Sequence, residues 1–340
     1  SGDRVSSAGD VNGDGFDDLI IGAYRGDPGG DSAAGESYVV FGKSSGFTSA
    51  LDLSTLNGTN GFRLDGIDVN DWSGLAVSSA GDVNGDGFDD LIIGAHLADP
   101  GGDSAAGESY VVFGKSSDFT AALDLATLDG TNGFRLDGID AGDGAGLRVS
   151  NAGDVNGDGF DDLIIGARGG DPGGDTQAGE SYVVFGKSSG FSAAIDLSTL
   201  DGTNGFRLDG IDADDRSGDS VSSAGDVNGD GFDDLIIGAF RAEPGGDYFG
   251  GESYVVFGKS SGFTSAIDLS MLNGSDGFRL DGIDAGDWFG RSVSSAGDVN
   301  GDGFDDLIIG APYADVGGSG DSKEGESFVI FGREMPILLS

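Results

Sequence analysis

Carboxylate and amide oxygens recur in this chain at a spacing that suits a hard cation. Asp10, Asn12, Asp14 and Asp18 fall at positions 1, 3, 5 and 9 of the stretch Asp10-Val11-Asn12-Gly13-Asp14-Gly15-Phe16-Asp17-Asp18, with Gly15 at position 6. The stretch returns unchanged at 82–90, 154–162, 226–234 and 298–306, every 72 residues. Ca²⁺ asks for several oxygens at short range and one residue free to turn sharply, and the stretch offers both. Asn-Gly and Asp-Gly are also good turn formers, which explains the glycines but not four spaced oxygens in five copies. The reading is therefore a Ca²⁺ loop in which Asp10, Asn12, Asp14 and Asp18 give side-chain oxygens and Phe16 its carbonyl. The same roles fall to Asp82, Asn84, Asp86, Phe88 and Asp90; to Asp154, Asn156, Asp158, Phe160 and Asp162; to Asp226, Asn228, Asp230, Phe232 and Asp234; and to Asp298, Asn300, Asp302, Phe304 and Asp306. About five Ca²⁺ ions are expected, one per loop. Asp17 lies next to the oxygens and is expected to point away, into a supporting or surface role.

Five copies at a fixed period define a repeat protein of 72-residue units starting at 1, 73, 145, 217 and 289, with a tail at 333–340. In the unit from 73 to 144, Val77 to Gly81 is a run of small residues and Leu91 to Ala95 an apolar run bounded by Gly. Glu108 to Gly114 is β-branched and aromatic, and Gly133 to Gly138 alternates apolar with polar. Four short strands per unit, A to D, follow from this. The connection from Lys115 to Asn132 holds at most one helical turn, over Leu123–Leu128. Four-stranded antiparallel meanders repeated about an axis make a β-propeller. The expectation is thus an all-β, single-domain, five-bladed β-propeller, with Ca²⁺ in the A–B hairpin of each blade. Small residues in strand A suit the crowded axis, and no atypical capping repeat marks the ends of a linear solenoid. Only four D strands are countable, at 61–66, 133–138, 205–210 and 277–282, so the last blade is expected to have three strands unless Met335 to Ser340 replaces the fourth.

An EF-hand is excluded, because position 12 is Ile21 rather than Glu and the flanks are strands. The loops resemble instead the FG-GAP repeats of the integrin α-subunit propeller. Phe289-Gly290 before strand A and Gly310-Ala311-Pro312 after strand B show both halves of that signature, and Asp-x-Asn-x-Asp-Gly-x-x-Asp matches the family's Ca²⁺ hairpin. The resemblance implies a propeller with Ca²⁺ in its A–B hairpins, in extracellular proteins that bind partners. It departs from the integrins in having five near-identical units rather than seven, and looks more like bacterial surface or secreted proteins with this repeat.

Net charge is −43, with 60 acidic against 17 basic residues, which argues against nucleic acid and anionic lipid as partners. No apolar run is long enough to span a membrane, so membrane insertion is not expected. There is no cysteine, so disulfides say nothing of the compartment. The start at Ser1, in mid-repeat, is that of a processed product or an excised piece. Millimolar Ca²⁺ favours an extracellular place, secreted or at the cell surface, and a monomer is expected.

Where the units differ, they differ in two connections. The B–C loop varies at Tyr24, Arg25, His96, Arg168, Phe240, Arg241 and Tyr313, and the D–A connection at Trp72, Gly144, Arg216 and Trp288. In an up-and-down blade these connections share the face opposite the metal hairpins. Relaxed variation of solvent loops accounts for the pattern; a ligand face is the alternative, since Trp, Tyr and Arg on loops are common contact residues. The expected function is a non-enzymatic, calcium-binding adhesion or protein-interaction module, with a protein or glycan ligand. The alternative is a lectin using Trp72 and Trp288 for stacking. A glycosidase needs a carboxylate pair in a unique context, whereas nearly every acid here is replicated. With His96 the single histidine, no histidine triad exists. Arg25-Gly26-Asp27 reads as a chance tripeptide. Glu36, Glu108, Glu180, Glu252 and Glu326 are expected to hydrogen-bond structurally, and Asp65, Asp68 and Asp71 are a candidate second cation site.

Overall fold

The computed structural model describes residues 2–47, 49–117, 119–315 and 323–334. They form twenty-two β-strands and eight short 3₁₀ turns in five sheets. The first sheet is β1 (Arg4–Gly9), β2 (Asp18–Ala23), β3 (Glu36–Val40) and β4 (Gly61–Asp65), paired in that order. The second unit supplies β5 (Ala76–Gly81), β6 (Asp90–Ala95), β7 (Glu108–Val112), β8 (Ala122–Asp124) and β9 (Gly133–Asp137). The third gives β10 (Arg148–Gly153), β11 (Asp162–Ala167), β12 (Glu180–Val184), β13 (Ala194–Asp196) and β14 (Gly205–Asp209). The fourth gives β15 (Ser220–Gly225), β16 (Asp234–Ala239), β17 (Glu252–Val256), β18 (Ala266–Asp268) and β19 (Gly277–Asp281), and the fifth β20 (Ser292–Gly297), β21 (Asp306–Ala311) and β22 (Glu326–Ile330). Contacts divide the chain into two compact units, Ser1–Asn151 with Gly186–Thr199, and Ala152–Phe185 with Leu200–Ser340.

Each sheet begins with a hairpin whose register is fixed by a bulge. In β1–β2, Ser7 faces Leu19 and Gly9 faces Asp18, so one residue is left over, and the same slip recurs at Ser79/Gly81, Ser223/Gly225 and Ser295/Gly297. Gly9 sits at φ 69°, a left-handed conformation that glycine takes without steric cost. In the second, third and fourth sheets the run Leu-Ile-Ile of strand B is buried on both faces, which is why it does not alternate with polar residues. In the first unit, Ile20, Val39, Phe62 and Leu64 of one sheet pack with Leu91, Ile93, Tyr110 and Val112 of the next.

The sequence predicts four strands per sheet, but the first three sheets have five. Ala122–Asp124 pairs in parallel with β4, Ala194–Asp196 with β9, and Ala266–Asp268 with β14. The connection after strand C of one unit therefore reaches back and adds a fifth strand to the sheet before it. A phenylalanine fastens each strap. Phe119 stacks on Phe62 at 4.8 Å, Phe191 on Phe134 at 4.6 Å and Phe263 on Phe206 at 4.6 Å. The strand is followed by a single 3₁₀ turn, as at Leu125–Thr127, where the Asp124 side chain accepts the Ala126 N–H. The helical turn expected over Leu123–Leu128 is thus half strand and half turn. The fourth sheet has four strands and the fifth has three, as expected from the missing D strand. The proposed replacement by Met335 to Ser340 lies outside the described residues.

The first and fifth sheets each leave one apolar face in solvent. Val5 and Leu19 are 69 % and 55 % exposed, whereas their equivalents Val77 and Leu91 are buried. On the fifth sheet, Ile308, Val329 and Phe331 are exposed, although Ile236, Val255 and Phe257 at the same positions are buried.

Candidate functional site

The acidic loops lie between the first two strands of each sheet, and each is tied into the fold at its ninth residue. Asp18 is fully buried, accepting the Val11 N–H at 3.1 Å on one carboxylate oxygen and the Gly42 N–H at 2.7 Å on the other. Asp90 takes Val83 and Gly114, Asp234 takes Val227 and Gly258, and Asp306 takes Val299 and Gly332 in the same way. This residue joins the start of the loop to the end of the third strand. Inside the loop, Asp10 accepts the N–H groups of Asp14 at 3.0 Å and Gly15 at 2.8 Å, and Asp14 accepts that of Phe16 at 3.0 Å. Asn84 accepts the Asp86 N–H at 2.9 Å. The oxygen-bearing side chains thus curl over the amides of their own loop.

Burial pushes the Asp18 carboxyl up to about 6, and Asp90 and Asp234 up to about 8, against the lowering effect of their two N–H donors. The carboxylates at positions 1 and 5 of the same loop push in the same direction as burial. Neither Asp18 nor Asp90 has a Lys or Arg ion-pair partner among the described residues. The donor set fits a hard cation in kind: oxygen only, with three Asp and one Asn within nine residues. Each carboxylate oxygen that takes one N–H keeps a further acceptor position. Among the described residues, no three acidic side chains converge on one point, so the fit is one of donor chemistry rather than of a formed cage.

The eighth residue does more than the sequence suggested. Asp17 is exposed, but Asp89, its equivalent in the second unit, accepts the Asp10 N–H at 2.6 Å. Asp233 does the same for Asp154 at 2.8 Å, and Asp305 for Asp226 at 3.0 Å. A Cβ on Gly9 would fall within 2.3 Å of the Asp89 carboxylate, so the bulge glycine also clears a path for this contact. The seventh residue joins in, since a Cβ on Gly13 would lie 2.3 Å from the Phe88 ring. Within each compact unit, neighbouring loops are therefore bolted together, and the signal in the sequence was only the recurrence of an acid that no cation needed.

Glu36 and its equivalents are structural, as expected. Glu36 accepts the Tyr38 hydroxyl at 2.5 Å and lies 3.6 Å from Arg63, which also grips Asp65 through two nitrogens. That ion pair recurs at Arg135–Asp137, Arg207–Asp209 and Arg279–Asp281. Asp65 is therefore committed to an arginine, and the second cation site proposed for Asp65, Asp68 and Asp71 is not assembled. Asp71 is buried, and burial with the neighbouring Glu108 and Asp68 raises its carboxyl to about 7. Asp215 is raised to about 7 by burial and by Glu252 and Asp212.

The variable residues do come together, within each compact unit. In the first, the Tyr24 and Trp72 rings meet at 5.1 Å and Trp72 and His96 at 5.9 Å, with the Arg25 guanidinium 5.2 Å from the Tyr24 centroid. In the second, Phe240, Trp288 and Tyr313 form a continuous row, at 5.1 Å and 4.5 Å. Arg168 pairs with the buried Asp219 at 2.8 Å, Arg291 binds the other oxygen of the same carboxylate, and Arg216 donates to Gln177 at 3.0 Å. Arg241 lies over the Phe240 and Phe249 rings at 5.7 Å and 5.3 Å. Trp72, Arg216 and Trp288 all hold φ near +60°, in the conformation for which the second unit uses Gly144 at φ 66°. Bulky residues there are strained, and such strain gathers at functional positions. Asp219 and Arg291, which complete this cluster, were not singled out from the sequence, although both stand where the second and third units carry Leu75 and Leu147.

Comparison with known families matches the FG-GAP repeat at residues 2–40, 73–112, 145–184, 217–256 and 289–330, more than half of the chain. Integrin alpha-4 of Xenopus laevis is 32 % identical over 165 residues, covering 48 % of this chain and 14 % of the integrin. Phosphatidylinositol-glycan-specific phospholipase D of Bos taurus is 33 % identical over 165 residues, covering 48 % of this chain and 18 % of the relative. The same-named protein of Dictyostelium discoideum is 29 % identical over 266 residues, covering 75 % of this chain and 26 % of the relative. The chain spans about a quarter or less of the length of these relatives. The matched repeats coincide with the first three strands of every sheet and the acidic loop between the first two, an all-β arrangement consistent with a β-propeller, and the chain belongs to the FG-GAP repeat family.

Proposed function

We propose that this chain is a non-enzymatic, extracellular interaction module, built as one β-propeller domain and stabilised by Ca²⁺ in its A–B loops. The observation that carries the cation is the buried carboxylate at the ninth position. Asp18, Asp90 and Asp234 lie at 0 % exposure with only N–H donors, beside further Asp carboxylates of the same loop. Buried negative charge without a cationic side chain is costly, and a bound Ca²⁺ relieves it. When bound, the ion supplies positive charge to Asp10, Asn12, Asp14, Asp18 and their equivalents. The metal is structural in this reading, and partner binding falls to the variable face.

The relatives' names support the module reading, since integrin α subunits and a phospholipase D share these repeats while the chain covers only a minor part of either. Replication of nearly every acid argues against a catalytic pair within these units. No helix among the described residues is long and apolar enough to cross a membrane. Carbohydrate binding is the second reading, supported by the ring rows Tyr24–Trp72–His96 and Phe240–Trp288–Tyr313. A glycan array without hits on wild-type protein counts against it.

Calorimetry of metal-depleted protein with and without added Ca²⁺ tests the first reading. At a hundredfold excess over Kd, each occupied loop adds about 2.7 kcal/mol, so the melting temperature rises steeply with added ion. A melting curve that does not move between excess chelator and millimolar Ca²⁺ overturns it.

A further inference from the structure

Most cations of this chain belong to the repeat, but four that do not are gathered in one place. Eight of the 17 Lys and Arg residues recur with the period, and four of the remaining nine are Arg168, Arg216, Arg241 and Arg291. They come from the B–C loops of the third and fourth units, the D–A connection between those units and the start of the fifth. One buried carboxylate, Asp219, holds Arg168 and Arg291 by its two oxygens. Arg241 leaves its Nε buried and without a hydrogen-bond partner. Burial and the nearby Arg241 and Arg168 pull the Arg216 guanidinium below its usual range, even though Asp219 and Asp214 oppose them. One carboxylate is thus shared by two guanidinium groups, and two further arginines stand in the same neighbourhood, on a chain of net charge −43.

We propose that this arginine cluster is a binding site for an oxyanion, a carboxylate or sulfate group carried by the ligand. Guanidinium groups present planar donor forks that match such oxygens. Asp219 acts as the anchor that keeps Arg168 and Arg291 in position, rather than as a group that cancels the site. The Arg291 guanidinium lies 5.0 Å from the centroid of the buried Phe240, and the half-buried Trp288 and Tyr313 that continue the row give the body of the ligand an apolar surface beside its charged group. Arg216 is held at φ 59°, and a glycine there would relieve the backbone. This site deepens the reading of the variable face as the contact surface and rests on it; it does not depend on the cation in the loops.

Isothermal titration of the full chain at constant ionic strength tests it, with glucuronate as the carboxylate probe, sodium sulfate as the bare anion and glucose as the neutral control. Glucuronate or sulfate binds the wild type, and R216G and R241Q each weaken that binding about tenfold or more. R4Q, at an exposed arginine of the first strand that belongs to neither the cluster nor the variable loops, leaves the affinity unchanged. R216G is chosen because it removes strain, so a melting temperature at or above that of the wild type shows the loss to be local. No binding of either anion, equal binding of glucose, or anion binding indifferent to both variants overturns the proposal. Because the titration reads the anion alone, its failure leaves the Ca²⁺ reading to the chelation melt.

Discussion

The Asp89 carboxylate accepts the backbone N–H of Asp10, 79 residues earlier, at 2.6 Å. This contact passes from one acidic loop to the previous one. It gives a role to an acid that takes no part in the expected cation shell.

D89A is expected to lower stability by about 1.5–3 kcal/mol, the range for a hydrogen bond to a charged group. D17A removes the same residue from the first repeat, where the side chain is exposed, and is expected to stay within about 0.5 kcal/mol of wild type. Urea midpoints of the two variants in Ca²⁺-saturated buffer check the pair. Equal losses would show that the residue acts within its own loop instead.

The phenylalanine of the strap offers a second matched comparison. Phe191 is buried against Phe134 and Phe113, whereas Phe47, at the same position of the first repeat, is 62 % exposed. F191A is expected to cost about 3–5 kcal/mol and F47A close to nothing, read from denaturant unfolding. Because Phe191 holds the Ala194–Asp196 strand, hydrogen exchange at those three amides should speed up first.

Stability of the metal-free protein is expected to fall as pH rises from about 4 to about 7. Asp71 and Asp215 have carboxyls raised to about 7 by burial and neighbouring acids. The folded state therefore binds protons more readily than the unfolded chain across that window, and deprotonation weighs against folding. Melting temperatures in chelator at pH 5 and 8 check the sign. The D71N/D215N double variant should flatten the slope, because an amide keeps the buried shape without the charge.

Much of the fold was legible because each repeat states its strands in short, bounded runs. Leu91 to Ala95 and Glu108 to Val112 are apolar enough to define strands B and C without help. The fifth strand was not legible. Ala122–Asp124 is three residues long, too short to show a period, and what makes it a strand is the outer edge of the preceding sheet, a partner 59 residues away. The cation loop was readable as a donor set, because spacing alone fixes which oxygens lie close. The clasp through Asp89 was not readable, since it joins different copies. On the variable face, Arg168 and Arg216 stood out as loop residues, whereas Asp219 did not, although it organises their neighbourhood. A single acid at the start of a strand carries no pattern; its meaning comes from Arg168 and Arg291 on either side.

The uncovered apolar positions of the first and fifth sheets are ones that a neighbouring sheet covers elsewhere in the chain. Phe331, at 58 % exposure, stands where Phe257 is covered, and Leu19 stands where Leu91 is covered. The same side chain therefore stabilises the fold or stands in water according only to whether another repeat is packed on it, so each repeat draws part of its stability from its neighbour rather than from itself.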